Sequence, residues 1–330
     1  MSKLSVAAAT SHTLSLTAME EASRLGERTV GVDHLFLALV VNEQVAGQVL
    51  RSLGITLDLA HAAVAAQHAA QLASLGVRSE APAPGRITFY ETNDYSLNES
   101  ACEVVKRSVE GKKRGDAAAV LREVVTEPSG LIEAVLHRLG TSPDVVLARL
   151  EEVTRHPARA QHSFGPGALS SSSEGFVPAD VAQVWALLCD PARMPEWEPG
   201  TGSVEDVPSR ATIGSRWVSQ ARTEGPDGKP FDVKQERRRA AVKLTDREEF
   251  SRIEWRFTWP DAPKSPMRQV RIDLEPAAGG TQLSLSIAWV RRPDAPRRIP
   301  LLRWLLRPLR RFGMWMQLMQ LSGSISRVFR

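Results

Sequence analysis

The adjacent residues Asp33 and His34 bring a carboxylate and an imidazole together in the first half of the chain. A carboxylate can accept charge-assisted hydrogen bonds from a cationic partner, and an imidazole can act as a base or a ligand. No further His, Cys or carboxylate follows at a metal-ligand spacing, so we predict no metal site. The pair also begins an apolar helical run, where Asp33 could simply cap the helix. Docking of a protein partner and a purely structural role both stay open.

Large aromatic residues concentrate in the second half of the chain, and all eight tryptophans follow residue 184. Such side chains line ligand cavities but also fill ordinary cores, so their presence alone does not decide between the two. Within 252–259 and 282–289 the apolar residues share one parity, which places them on one face of each predicted strand. The residues predicted to line a cavity for a hydrophobic ligand are Trp217, Trp255, Phe257, Trp259, Trp289 and Phe312.

Polar residues alternate with these apolar ones and are the candidates for acid–base catalysis. They are Gln220, Arg222, Asp232, Lys234, Glu236, Glu254 and Arg256. Alternation predicts a solvated face for them, and the sequence holds no Ser-His-Asp set or paired-carboxylate signature. It also lacks a G-x-x-x-x-G-K-[ST] phosphate-binding loop, so we expect no ATPase activity. We assign no catalytic residue and no cofactor, and favour a non-enzymatic protein over an enzyme.

The elements that position Asp33 are helices. Over 12–75 apolar residues recur at helical spacing, with glycines between the runs. The pattern returns over 94–153, where a shift of 86 residues aligns Leu53-Gly54 with Leu139-Gly140. Residues 1–154 are therefore predicted to form an all-α tandem helical repeat.

The elements that position the aromatic residues are strands. Residues 155–169, rich in Gly and Pro, predict a linker. Short alternating runs bounded by turn residues follow it, and they predict strands at 214–222, 232–239, 252–258, 268–274 and 282–289. A helix at 180–188 precedes these strands and a long helix at about 302–328 ends the chain. Residues 170–330 are thus predicted to be an α+β domain.

Basic charge is confined to the end of the chain. The net charge is +4, and residues 291–330 alone hold ten arginines against one acid. The terminal helix carries basic residues beside apolar ones, namely Arg303, Arg307, Arg310 and Arg311. Such a helix can serve the core or additionally contact an anionic membrane. No basic–aromatic pattern crosses the strands, so we expect no nucleic-acid binding.

Two distant cysteines and the absence of a secretory signal favour a cytoplasmic protein. The longest internal apolar run is far too short for a membrane span, so we expect no transmembrane helix.

The first half resembles the Clp amino-terminal (Clp R) repeat domain. The resemblance rests on Glu21-Ala22-x-x-Leu25-Gly26, the box VGVDHLFLAL at 30–39 and Val49-Leu50-x-x-Leu53-Gly54. Domains of this family dock adaptors and substrates, and in some members the box acid helps bind phosphorylated arginine. The resemblance implies docking of a protein partner through Asp33 and His34. In the second copy Ala119 replaces the acid, which implies that only the first copy keeps this role.

The second half resembles the START-like SRPBCC superfamily, including polyketide cyclase/dehydrase-type proteins. The resemblance rests on the segment VPADVAQVWALLCDP at 177–191 and on Met194-Pro195-Glu196-Trp197, followed by strands and a long helix. It implies a helix-grip fold, in which a curved sheet wraps a terminal helix around an apolar cavity.

The function predicted from these features combines partner docking by the first domain with binding of a hydrophobic small molecule by the second. Two alternatives remain: a polyketide cyclase/aromatase-like enzyme acting in the same cavity, and a membrane-surface lipid carrier that uses the basic terminal helix.

Overall fold

The computed structural model describes residues 3–77, 85, 87, 95–110, 113, 115–154, 169–225, 230, 232–290 and 307–330. Residues 155–168 of the predicted linker lie outside the described residues. Arg303 and the start of the predicted terminal helix also lie outside them. The chain divides into two compact units, 1–158 together with Arg330, and 159–329.

The described part of the first unit is helical, with one short pair of parallel strands. Its helices are α1 (Lys3–Arg24), α2 (Val32–Val40), α3 (Val45–Ser52), α4 (Leu57–Ser74), α5 (Glu99–Val109), α6 (Ala117–Val125), α7 (Leu131–Arg138) and α8 (Pro143–Thr154). The strands are β1 (Thr29–Val30) and β2 (Ser96–Leu97).

Helix α2 is the centre of this unit. All nine of its residues are buried. Seven of the nine are apolar, and such a helix is stable only when other elements surround it. Helices α1 and α3–α7 pack against it. Three of the neighbouring helices have polar N-cap residues. The side chains of Thr56, Asn98 and Asp116 accept hydrogen bonds from backbone N–H groups in the first turns of α4, α5 and α6.

The second unit is an antiparallel sheet with helices. Its strands are β3 (Leu169–Val177), β4 (Thr201–Glu205), β5 (Arg216–Ala221), β6 (Arg239–Glu248), β7 (Arg252–Thr258), β8 (Met267–Ala277) and β9 (Gly280–Val290). Its helices are α9 (Val181–Cys189), α10 (Met194–Trp197) and α11 (Arg307–Arg327). The strand order is β3-β9-β8-β7-β6-β5-β4, and α11 packs on β3 and β9. This arrangement is the expected helix grip.

Alternation along the strands builds the core of this unit. Ile253, Trp255 and Phe257 of β7 are buried while the residues between them are partly exposed, because successive side chains point to opposite faces of a sheet. The predicted helix at 180–188 is confirmed as α9, with Asp180 as its N-cap.

Two predicted elements differ from the structure. Residues 232–239 do not form a strand: 235–237 are a short 3-10 helix, and the strand that pairs with β5 is β6, which starts at Arg239. The face of α11 also differs: Met314, Leu318, Leu321 and Ile325 are buried, whereas the predicted cavity residue Phe312 is exposed.

Within the described residues, no single helix is both long enough and apolar enough to span a bilayer. Helices α3 and α4 meet that criterion only as a pair bent by 80°.

Candidate functional site

The inward face of the second unit carries a polar cluster formed by Glu198, Thr201, Ser219 and Arg268. Each comes from a different element: Glu198 ends α10, Thr201 begins β4, Ser219 lies on β5 and Arg268 on β8. In sequence parity Ser219 shares the face of buried Trp217, and Arg268 shares that of Val270. The alternation that fills the core therefore also turns these polar groups inward. We call them the inner polar cluster.

The inner polar cluster is a continuous set of hydrogen bonds. Arg268 Nη2 donates to Glu198 Oε1 at 2.5 Å, and the Thr201 hydroxyl donates to Glu198 Oε2 at 2.9 Å. Thr201 and Ser219 join through their hydroxyls at 2.8 Å. Glu198 is only 4% exposed, so its charge depends on Arg268 for compensation.

Aromatic rings surround the arginine of this cluster. Phe257 and Trp289 lie opposite Arg268 on the two neighbouring strands, and the guanidinium sits 4.5 Å from the centroid of the Phe257 ring. Trp259 and Trp289 stack with centroids 5.7 Å apart. One end of the inner face thus combines a buried ion pair with a large aromatic surface.

Three hydrogen-bond donors on this face lack partners among the described residues. They are Nε1 of Trp197, Nε1 of Trp217 and Nε of Arg268, all fully buried. Buried donors are almost always satisfied in proteins, since an unpaired one loses its hydration without replacement. Their presence on one inner face is therefore chemically informative.

The residues predicted to line the cavity fall into three groups. Trp217, Trp255 and Phe257 are fully buried in the core of the unit, and Trp259 and Trp289 pack against that core while partly exposed. Phe312 does not belong with them: it is 55% exposed and contacts Trp315. Its side of α11 faces away from the sheet because the buried stripe runs through Met314 and Leu318.

The polar members of this site are not among the residues predicted from the sequence. Arg268 lies in a predicted strand, on the same face as the buried residues Val270, Ile272 and Leu274. A charged residue among the apolar residues of one strand face was the signal that could have identified it. Glu198 and Thr201 carried no such signal, because a turn after α10 and a separate strand bring them to the sheet.

A second candidate site lies in the first unit, as a cavity of about 350 Å³. It is bordered by the starts of helices α2, α5 and α7. Its lining residues are Glu27, Thr29, Gly31, Val32, Asp33, His34, His68, Asn98, Ser100, Ser129 and Leu131. The structure therefore places both predicted docking residues, Asp33 and His34, at one cavity.

Asp33 does not cap helix α2, contrary to one of its two sequence interpretations. The N-cap is Gly31, whose N–H donates to Nδ1 of His34 at 3.1 Å. The Asp33 carboxylate instead lies 3.3 Å from Nε2 of His68 on α4. Burial alone would raise the pKa of Asp33, but the neighbouring imidazoles of His34 and His68 hold it well below its usual range. The Asp33 carboxyl at the cavity wall is therefore held in its ionised form beside these imidazoles.

Residues 169–314 match the protein family described as "Polyketide cyclase / dehydrase and lipid transport". No curated protein shows significant similarity to the chain. The resemblance of the first half to the Clp R domain has no support among these matches.

Several solved structures are similar to the chain at low sequence identity. A protein from Chromobacterium violaceum is 18% identical, covers 48% of this chain and 96% of its own length, and has a TM-score of 0.30. A polyketide-cyclase-like protein from Corynebacterium glutamicum is 18% identical, with coverages of 50% and 93% and a TM-score of 0.31. A protein from Arthrobacter aurescens is 19% identical, with coverages of 50% and 87% and a TM-score of 0.35. Residues 169–314 are therefore similar to the polyketide cyclase / dehydrase and lipid transport family.

Proposed function

We propose that the second unit binds a hydrophobic small molecule on the inner face of its sheet. The observation that carries the proposal is the combination, on one face, of a large aromatic surface with buried polar groups. Small-molecule sites are mostly apolar and contain a few fixed polar groups that orient the ligand. A core built only for stability would gain little from the inner polar cluster, because a buried ion pair seldom stabilises more than apolar packing does.

Binding can be tested on the full chain with N-phenyl-1-naphthylamine, whose fluorescence rises in apolar surroundings. We expect saturable binding to the native protein. Phe257→Leu should weaken it by about three- to tenfold, because Phe257 is buried beside Arg268. Phe312→Leu is the matched control: the same change at an exposed position should leave the affinity unchanged. Failure of the native protein to bind the dye would refute the proposal.

The enzymatic alternative uses the same face. A polyketide cyclase/aromatase-like reaction would change the ligand rather than merely hold it, and the family match favours keeping this alternative. Native mass spectrometry of the full chain purified from its host would give the mass of any bound compound. If the mass of the recovered compound changes on incubation with fresh protein, the protein acts on it as an enzyme. If the mass of the compound stays the same, a binding protein is favoured.

We also propose that the first unit is a tandem helical repeat of the Clp R type that docks a protein partner. The spacing of its helices supports the repeat: a shift of 86 residues carries both ends of α3 onto the ends of α7. It also carries α2 to within one residue of α6. The cavity with its buried acid supports the docking role, because Asp33 keeps a charge that a cationic group could pair with.

The docking proposal predicts that charge at residue 33 controls partner capture. Asp33→Asn removes the charge with little change in shape. A partner protein that the native chain captures from a host lysate should therefore not be captured by this variant. Asp116→Asn is the control, since Asn is as good an N-cap as Asp and that residue only starts α6. Equal capture by both variants would argue against docking through Asp33.

The membrane alternative rests on Arg303, Arg307, Arg310 and Arg311, whose side chains lie outside those the structure describes. Flotation of the full chain with anionic liposomes tests it directly. Co-flotation that is abolished by high salt would support a membrane-surface lipid carrier, and protein remaining at the bottom of the gradient would exclude it.

A further inference from the structure

Three basic residues form a row across the outer face of the sheet in the second unit, the face that points away from the core. Arg216 of β5 lies directly opposite Lys243 of β6, and Lys243 lies directly opposite Arg256 of β7. Each of the three is adjacent in sequence to a buried core residue, and successive side chains of a strand point to opposite faces of a sheet. We call these three residues the outer basic row.

The outer basic row has no acidic partner within the part of the chain that the structure describes. None of its three side chains forms an ion pair or a hydrogen bond with another described residue. Nε of Arg256 is nevertheless fully buried. A buried donor without a partner loses its hydration and gains nothing in return, so this position lacks an acceptor.

Other arginines on the same face of the sheet are paired. Arg252 donates to Asp273 at 2.8 Å, and Arg271 donates to the same carboxylate at 2.9 Å. Glu254, which precedes the outer basic row on β7, accepts a hydrogen bond from the Thr245 hydroxyl at 2.8 Å. Like charges directly opposite each other destabilise a sheet. The row therefore lowers the stability of this unit, and a bound anion would relieve that cost.

The residues beside the row indicate what kind of anion fits. The next row along the strands on this face consists of Val218, Ala241 and Thr258. None of these is aromatic, so they offer no platform on which the bases of a single-stranded nucleic acid could stack.

The spacing of the row matches the carboxylates of a protein segment. Adjacent strands lie about 4.8 Å apart, so the row presents three basic groups over roughly 10 Å. Carboxylates recur at about 5–6 Å on one face of a helix and at about 7 Å along one side of an extended segment. A segment rich in Glu or Asp can therefore place successive carboxylates along the row.

We propose that the outer basic row docks an acidic segment of a partner protein, whose carboxylates pair with Arg216, Lys243 and Arg256. A guanidinium takes a carboxylate through two parallel hydrogen bonds, so such a pairing gives Nε of Arg256 the acceptor that it lacks. The surface lies on the opposite face of the sheet from the proposed binding of a hydrophobic molecule, and it adds a protein interaction to that function.

Fluorescence anisotropy of the full chain with a fluorescein-labelled peptide of alternating Glu and Gly tests the proposal. The matched peptide of alternating Gln and Gly has the same length without the charge. We expect saturable binding of the acidic peptide only. Its affinity should fall between about 50 mM and about 200 mM salt, because salt screens exposed charges.

A triple variant identifies the residues that bind the peptide. Arg216→Gln, Lys243→Gln and Arg256→Gln together should weaken binding about tenfold, since an exposed charge contact contributes about two- to threefold. Arg210→Gln is the control: the same change at an exposed arginine between β4 and β5 should leave the affinity unchanged. The Tm of the triple variant should rise, because the repulsion within the row is gone; weaker binding then cannot be attributed to misfolding.

Two results would overturn the proposal. One is an acidic peptide that does not bind the native chain, or that binds the triple variant equally well. The other is tighter binding of single-stranded oligothymidylate or of phosphatidylserine vesicles than of the peptide, if the triple variant abolishes it, since the row would then serve a nucleic acid or a membrane. Both results leave the proposed function standing, because dye binding to the inner face is measured separately.

Discussion

At the scale of single residues, each candidate site contains a buried carboxylate, and the two carboxylates have different partners. In the second unit Glu198 is compensated by one arginine and one hydroxyl, so its stability depends on both being present. In the first unit Asp33 is buried beside two imidazoles.

The Glu198–Arg268 pair predicts a non-additive effect on stability. Arg268→Met leaves a buried carboxylate unpaired and should lower the free energy of unfolding by about 3–5 kcal/mol. Adding Glu198→Gln to that variant should recover part of the loss, because the uncompensated charge is then gone. Urea unfolding of the four proteins of the cycle measures this coupling. Strictly additive losses would show that the two residues do not interact as the structure has them.

The contact of His68 with Asp33 predicts a pH-dependent contribution to stability. Hydrogen bonding to Asp33 raises the pKa of His68 above its usual value, against the opposing effect of partial burial. Such a group stabilises the fold below its unfolded-state pKa, and the stabilisation is lost as pH rises through the folded-state pKa. Glu27 and His34 also border the cavity, and Asp33 stays ionised over this range.

The test compares the native protein with His68→Gln. We expect the difference in Tm of the first unit to be largest at a pH below the unfolded-state pKa of histidine, about 6.5, and to shrink as the pH rises through the raised folded-state pKa of His68. His12→Gln, at an exposed position of α1, should behave like the native protein at every pH. A difference for His68→Gln that is constant with pH would contradict the ionised pair.

At the scale of elements, the terminal helix shows how closely the grip is packed. Helix α11 lies on β3 where that strand has a glycine. A Cβ added at Gly175 would overlap sterically with Ser322 Oγ and would lie 3.0 Å from Leu285 Cδ1. The absence of a side chain at this residue lets the helix approach the sheet. By contrast, a Cβ at Gly313 in the same helix would meet nothing within 4 Å.

These two glycines predict alanine substitutions of opposite sign. Gly175→Ala should destabilise the second unit by about 1–3 kcal/mol, because the added methyl overpacks the helix–strand contact. Gly313→Ala should stabilise it by about 0.5–1 kcal/mol, because alanine is the better helix former and has room there. Thermal unfolding of both variants measures the two effects, and a stabilising Gly175→Ala would mean that α11 does not pack on β3 as described.

At the scale of the whole molecule, the two compact units differ in secondary structure and in tryptophan content. The first is helical and has no tryptophan, whereas the second is mainly strands and contains all eight. Each has its own buried core residues. This separation motivates treating the two candidate sites as independent.

Independent folding is the corresponding prediction. Fragments 1–154 and 159–330 should each unfold in a single cooperative transition, since each buries a core of its own. The second fragment must include Leu169, which begins β3 and pairs with Trp289. Calorimetry of each fragment checks the prediction, and a fragment that is unfolded alone while the full chain is folded would contradict it.

Local sequence rules sufficed for the features that depend only on neighbours along the chain. Asp180 and Gln183 form the capping box of α9, and the single parity of Ile253, Trp255 and Phe257 put all three in the core. Both follow from backbone geometry, which repeats every 3.6 residues in a helix and every two in a strand. The family resemblance of the second half rested on similarly local segments, and the match at 169–314 confirms it.

Tertiary structure decided everything that depends on residues distant in sequence. Periodicity identifies the faces of α11, but only the position of β3 and β9 selects the face of Met314 and Leu318 over that of Phe312. Glu198 meets Arg268 across 70 residues, and Asp33 meets His68 because α4 returns beside α2. The partners of a buried charge are chosen by packing rather than by chain order, so the sequence alone determined the framework of both units while the fold determined the chemistry of their sites.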